Sequence, residues 1–289
     1  MTFENIIAGL CPPVVLTAFD AGQKILEIYG QEDFEVQIKE DKSPLTAADR
    51  AANALIMQRL QALWDLPVIS EEAKEIPYET RSQWTTFWLV DPLDGTKEFI
   101  KRNGEFTVNI ALIHQGKPVF GVVFAPVPGT LYVGATGQGA YKAILNTHFA
   151  SRDDLADKLH NPETSFQRLP LPKNKDGRTE TRIVASRSHC NVETQDYIDR
   201  LQETRGPVKL VSIGSSLKLC LLAEGSADVY PRLAPTMNWD IGAAQAILEA
   251  MPGLRCNGDI PNIWVLCAGN EMTYTVLDNI IKETAELFP

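Results

Sequence analysis

The chain reads as a mixed α/β protein, with an α+β N-terminal half and an α/β C-terminal half. Three observations predict this. Apolar residues recur at helical spacing near the N-terminus, short β-type runs separated by Gly and Pro turns fill residues 87–135, and strand and helix patterns alternate from Thr181 onward. A length of 289 residues and a hydrophobic content of 44% suffice for one large domain or two lobes with a full core.

Val14, Val15, Ala18, Ala21, Ile25 and Ile28 mark a helix over residues 13–29 that stops at Gly30. Phe34-Glu35-Val36-Gln37-Ile38-Lys39 alternates apolar and polar residues as a half-buried strand, and Asp41-Lys42-Ser43-Pro44 turns the chain toward a second helix over residues 47–63. A short apolar strand at residues 67–70 runs into Glu71-Glu72. Phe87-Trp88-Leu89-Val90 is a buried strand, and Pro92 and Gly95 then break regular structure, which places Asp91 and Asp94 on a turn. Strands follow at 107–114, 118–125 and 130–135, with turns at Gly116 and Pro128-Gly129. Residues 146–181 are polar, without a sustained apolar period, and read as a surface excursion or boundary between halves at 1–145 and 182–289. Beyond it, strands at 181–185 and 207–211 and helices at 195–203, 216–224 and 241–250 alternate, and a strand at 263–268 and a helix at 274–287 complete the chain.

The balance of 27 basic against 37 acidic residues, a net charge of −10, disfavours nucleic acid and anionic lipid as partners, so a phosphate ligand must be held locally. Five scattered cysteines with no CxxC pair argue against a disulfide framework or zinc knuckle and for reduced thiols in the cytoplasm. Met1-Thr2-Phe3-Glu4 does not open a secretory signal, and no apolar run approaches ~20 residues, so no membrane span is expected; peripheral attachment stays open.

The chemistry centres on Asp91-Pro92-Leu93-Asp94-Gly95-Thr96, two carboxylates three residues apart with a hydroxyl two further on. Held close, the carboxylates raise each other's pKa unless a cation neutralises them, and a divalent metal is the economical choice. Glu71 closes one strand, Asp91 and Asp94 another, and Asp240 opens a helix, so all lie at element ends, where hard-cation ligands are expected. Taken singly, Asp240 also suits a helix-capping acid, Glu71-Glu72 a solvated pair, and the Asp91–Asp94 segment a hairpin turn.

Together with Glu71-Glu72 upstream and Trp239-Asp240-Ile241-Gly242-Ala243-Ala244 downstream, this segment resembles the signature pair of the inositol monophosphatase superfamily of magnesium-dependent, lithium-sensitive phosphatases. Ser43-Pro44-Leu45-Thr46-Ala47-Ala48-Asp49, Ser186-Arg187-Ser188-His189, Gly214-Ser215-Ser216-Leu217-Lys218 and the stretch from Ala223 through Arg232 into Asp240 narrow the resemblance to CysQ-type 3'(2'),5'-bisphosphate nucleotidases. Near the C-terminus Cys256-Asn257 and Asn262-Ile263 depart from that pattern.

The resemblance implies a layered αβαβα sandwich with the active site between its halves. It implies that Glu71, Asp91, the Leu93 carbonyl, Asp94 and Asp240 bind two or three Mg²⁺ ions. Thr96 corresponds to the hydroxyl that orients the attacking water, Asp49 to the acid paired with it, and Glu71 assists. Gly95 and Thr96 offer N–H groups to the scissile phosphate. Gly214 and Ser215 can approach a nucleotide closely, Lys218 or Arg232 suits a second phosphate, and Tyr230 can cover the base. Ser186, His189 and Asp240 complete the implied substrate contacts, although Ser215-Ser216 and Lys218 also fit a helix start, and His189 a structural role. The implied reaction removes the 3'-phosphate of 3'-phosphoadenosine 5'-phosphate, or of its sulfated form, from a small-molecule substrate, with the enzyme a monomer or homodimer. The alternatives are an inositol monophosphatase or fructose-1,6-bisphosphatase of the same superfamily, and a metal- or nucleotide-binding regulator without turnover.

Overall fold

The computed structural model describes residues 3–33, 35–39, 44–145, 151–172, 179–185, 192–232, 236–251 and 264–267. The first half runs α1 (Phe3–Tyr29), β1 (Gln37–Ile38), β2 (Pro44–Leu45), α2 (Ala47–Leu63), β3 (Val68–Ser70), α3 (Tyr78–Arg81), β4 (Thr86–Asp94), α4 (Thr96–Ile100), β5 (Thr107–His114), β6 (Lys117–Ala125), β7 (Thr130–Ala135) and β8 (Gly139–Ile144). It continues through α5 (Arg152–His160), α6 (Pro162–Ser165), β9 (Gln167–Arg168), β10 (Thr181–Ala185), α7 (Val192–Arg205), β11 (Val208–Ser212), α8 (Leu217–Glu224), β12 (Val229–Arg232), α9 (Asn238–Glu249) and β13 (Trp264–Cys267).

Strands β3 to β9 form a seven-stranded sheet in sequence order, antiparallel except for the parallel β3–β4 pair. Alternation along β4 sends Trp88 and Val90 into a core under α1 and α2, with Val14, Ile25 and Ile56, and sends Leu89 to the opposite face among residues of α8 and α9. The second sheet, ordered β11-β10-β12-β13 and wholly parallel, packs against α8 on one side and α7 on the other, where Ile183, Val229, Ile198 and Leu201 make a small core. The layers are therefore α, β, α, β, α, as the resemblance implied.

Helix α9 is the element that joins the halves, because it lies directly on β5, β6 and β7 of the first sheet. The approach is close enough to exclude side chains beneath it. A Cβ at Gly121 would stand 2.1 Å from the Ala243 carbonyl oxygen, and one at Gly134 would stand 2.6 Å from Ile247 Cα.

Several elements differ from their sequence expectation. Helix α1 starts at Phe3 rather than at residue 13, with Pro12 and Pro13 inside it, where each forfeits one N–H bond without ending the helix. The expected half-buried strand at 34–39 is only the two-residue β1, paired with β2 in a two-stranded ribbon, and Ile38 is 68% exposed because no sheet covers it. The 146–181 stretch carries α5, α6 and β9; Leu155 and Leu159 pack into the first core, and β9 becomes that sheet's last strand. The expected helix at 274–287 lies outside the described residues. Among the described residues, no helix is long and apolar enough to cross a membrane.

The contact beneath α9 predicts that Gly121→Ala, which meets backbone rather than a movable side chain, destabilises the protein by roughly 1–3 kcal/mol in urea unfolding. A change below about 0.5 kcal/mol would mean that α9 does not rest on β6 as described.

Candidate active site

The sequence reading put Asp91 and Asp94 on a turn; in the structure the strand continues through both. Asp91 pairs with Asn109 and Asp94 with Thr107, so three steps along β4 face two along β5, and one extra residue forms a bulge. In a regular strand residues three apart point to opposite faces, and the extra residue restores them to the same one. Leu93 packs in the α1/α2 core, while Asp91 and Asp94 face α8 and α9. Pro92 is tolerated because a bulge does not require its missing N–H. The chain leaves the sheet at Gly95, whose φ of 95° is the left-handed turn into α4.

Three further elements bring acids to this point. The parallel β3–β4 register sets Ser70 beside Val90, and the Glu71 N–H extends the ladder to the Val90 carbonyl at 3.2 Å, so Glu71 arrives next to Asp91. Asp240, in the first turn of α9, accepts from Thr236 Oγ1 at 2.7 Å and from the Met237 N–H at 3.1 Å. Carboxylate oxygens of Asp91, Asp94 and Asp240 lie within 4.8 Å of one another. Asp49, in the first turn of α2, is held the same way: its Oδ2 accepts from the Thr46 N–H at 2.7 Å and from Thr46 Oγ1 at 2.5 Å. Its Oδ1 accepts from Thr96 Oγ1 at 3.1 Å, and Thr96 Oγ1 is 3.4 Å from the Leu93 carbonyl. Thus both first-turn acids combine capping with a place in the site; the capping alternative for Asp240 is correct without excluding the other.

The electrostatics are those of crowded, dry carboxylates. Burial, and then the charges of Glu71, Asp94 and Asp240, push the Asp91 carboxyl well above the usual range. Burial and Asp240 push Asp94 up to about 7, against the pull of Lys218 and the Ser216 N–H. Burial also raises Glu71 and Asp49; Lys39 opposes it at Glu71, and the Thr46 and Thr96 hydrogen bonds oppose it at Asp49. The donors are all oxygen, anionic and convergent, which suits a hard divalent cation and also removes the repulsion. The residues present therefore fit the metal that the resemblance implies.

Beside the acids opens a cleft of about 210 Å³, whose lining includes Glu71, Asp94, Gly95, Thr96 and Asp240 together with Gly214, Ser215, Lys218, Tyr230 and Arg232. The structure thus brings together every described residue singled out for substrate contact. Lys218 Nζ donates to the Ser215 carbonyl at 2.5 Å and sits 5.9 Å over the Tyr230 ring. Burial lowers its pKa, and the Asp94 charge resists that. Ser186 and His189 lie outside the described residues, as do Asn257 and Asn262.

Some residues at the site carried no recognisable signal in the sequence. Lys39, expected at the end of a half-buried strand, bridges Glu71 at 2.9 Å and Glu72 at 2.5 Å. Glu105 accepts the Gly214 N–H at 2.9 Å, and Ser216, whose motif is singled out for substrate contact with a helix start as the alternative, makes no capping bond and turns its hydroxyl to β5 instead. Only long-range packing defines these partners.

An acid cluster at a cleft between the two sheets of an αβαβα sandwich is the arrangement the resemblance implied, and the comparison with known sequences agrees: the chain belongs to the inositol monophosphatase family, matched over residues 13–279. Within that family it is similar to the 3'(2'),5'-bisphosphate nucleotidase CysQ of Salmonella typhimurium, 46% identical over 235 residues that span 81% of this chain and 84% of that protein. The protein of the same name from Buchnera aphidicola is 37% identical over 254 residues, 87% of this chain and 86% of its own. The crystal structure of CysQ from Bacteroides thetaiotaomicron superimposes with a TM-score of 0.71 at 46% identity, covering 86% of this chain and 87% of that one.

The raised carboxyls make a sign prediction. Asp94 keeps its proton in the metal-free fold up to about pH 7, whereas in the unfolded chain it loses it near pH ~4, so the fold binds more protons across that window. Metal-free protein should therefore lose stability as pH rises from about 4 to about 7. A divalent cation that binds the deprotonated acids should raise the Tm more at pH 8 than at pH 5. An equal rise at both pH values would remove these acids from the cation site.

Proposed function

We propose that the protein is a Mg²⁺-dependent 3'(2'),5'-bisphosphate nucleotidase that hydrolyses the 3'-phosphate of 3'-phosphoadenosine 5'-phosphate to AMP and phosphate. The observation that carries this reading is the cleft itself, whose lining combines the carboxylates Glu71, Asp94 and Asp240 with the cations Lys218 and Arg232. That combination suits a substrate with two phosphates, one to be attacked and one to be gripped. The 46% identity to a nucleotidase over most of both chains supports the same substrate.

Glu71, Asp91, Asp94, Asp240 and the Leu93 carbonyl would hold the cations. When bound, they supply positive charge that acidifies a water and neutralises the phosphoryl oxygens. Thr96 Oγ1, donating to Asp49 Oδ1, keeps lone pairs to accept a hydrogen from the attacking water. Burial raises the proton affinity of Asp49, so the proton passes from water to Thr96 Oγ1 while the Thr96 proton moves to Asp49. Gly95 and Thr96 open α4, whose first N–H groups have no partner within the helix and can meet the transferring phosphate. Lys218 and Arg232 hold the second phosphate, and Tyr230 packs beside the nucleoside. The scattered cysteines support a reducing compartment, the cytoplasm.

Phosphate release from 3'-phosphoadenosine 5'-phosphate, inositol 1-phosphate and fructose 1,6-bisphosphate at equal concentration tests the substrate, and the nucleotide should be preferred. Faster release from inositol phosphate would sink the reading, and nucleotide binding without phosphate release would make the protein a regulator. Asp94→Asn keeps an oxygen for the Ser216 N–H but loses the charge, and should lower kcat by about 100-fold or more with the fold intact. Near-normal turnover would place Asp94 outside the machinery. Lys218→Ala should raise KM for the bisphosphate more than for a nucleoside 3'-monophosphate; equal effects would leave Lys218 without a phosphate partner.

A further inference from the structure

The residues that face the two β4 acids across the sheet also hold the first turn of α8. Asp91 lies opposite Asn109 and Asp94 opposite Thr107, and both partners converge on Ser216. Ser216 Oγ is 2.9 Å from Asn109 Oδ1 and 2.8 Å from Thr107 Oγ1. An amide oxygen only accepts, so Ser216 donates to Asn109 and Thr107 donates to Ser216, giving one directed chain. The Ser216 N–H donates to Asp94 Oδ2 at 2.5 Å. All three side chains are buried, at 4% exposure for Ser216, 0% for Thr107 and 1% for Asn109. Asn109 Nδ2 has no partner among the described residues, so a buried donor stays unpaired while the oxygen serves Ser216.

Ser216 is flanked by the residues that line the cleft. Ser215, just before it, takes a φ of 51°, and its carbonyl holds Lys218. The hydroxyl of Ser216 is not spent on capping α8. It anchors the turn to β5 at the two positions that back the acids.

We propose that Ser216 is a positioning residue that couples the acids on β4 to the substrate-gripping turn of α8. Its side chain fixes the turn to Thr107 and Asn109, and its N–H, placed by that anchor, orients Asp94. Metal affinity and the grip on the nucleotide thereby depend on one buried hydroxyl. The proposal rests on the phosphatase reading of this site and deepens it.

Titration of Mg²⁺ into the metal-free protein by calorimetry tests it without any substrate. Ser216→Ala should weaken Mg²⁺ binding by about 5- to 10-fold, and Thr107→Val, which removes the other hydroxyl of the same chain, should do likewise. The double variant should bind Mg²⁺ no worse than the more affected single one, because each breaks the same anchor. At saturating Mg²⁺, Ser216→Ala should also raise KM for 3'-phosphoadenosine 5'-phosphate by a similar factor, with kcat changed less. If Ser216→Ala does not fold, Thr107→Val alone carries the test. A lowered Tm with Mg²⁺ affinity within about twofold of the parent would make the hydroxyl purely structural and overturn the proposal. A different preferred substrate would overturn the nucleotidase reading but leave the Mg²⁺ titration standing.

Discussion

Mutual repulsion among Glu71, Asp91, Asp94 and Asp240 is the constraint on which the rest of the structure depends. Three devices bring in the four carboxylates, and none of them tolerates much displacement. The parallel β3–β4 register delivers Glu71, the bulge in β4 turns Asp91 and Asp94 to one face, and α9, pressed against Gly121 and Gly134, delivers Asp240. A fold that spends so much packing on bringing like charges together gives up stability at the site. Lys39 and Lys218 offset part of the repulsion, and a divalent cation can offset the rest.

The same devices explain why the two halves meet where they do. Helix α9 follows the second sheet's β12 in sequence, yet rests on the first sheet, so Asp240 crosses from one half to the other. Helix α8, beside it, presents Lys218 to the cleft and Ser216 to β5. The β4 acids and the first turn of α8 are thus separate in sequence but share β5 as a backing strand. Asp49, in the first turn of α2, is tied to this group through Thr96.

Much of this was legible in the residues. Helix α2 and strands β5, β7 and β10 fall where periodicity places them, since each has an apolar face against a large core. The acids could be picked out because they stand at element ends. The bulge could not, because Pro92 and Gly95 signal a break in the strand equally well whether the chain turns or gains one residue. The apolar period shows only the part of α1 from residue 13 onward, and β9 is too short to show a period. The Lys39 bridge and the Ser216 anchor span 32 and 109 residues of sequence respectively, and no local pattern encodes such contacts.

We propose that the carboxylates are gathered to hold cations. Anomalous diffraction from crystals of the protein soaked in Mn²⁺ tests it most directly. Strong peaks are expected at about 2.0–2.2 Å from carboxylate oxygens, one shared by Asp91, Asp94 and Asp240 and another reaching Glu71, with Lys39 displaced from that acid. Crystals that take up Mn²⁺ elsewhere, or none at these oxygens, with Lys39 still bridging Glu71, would contradict it.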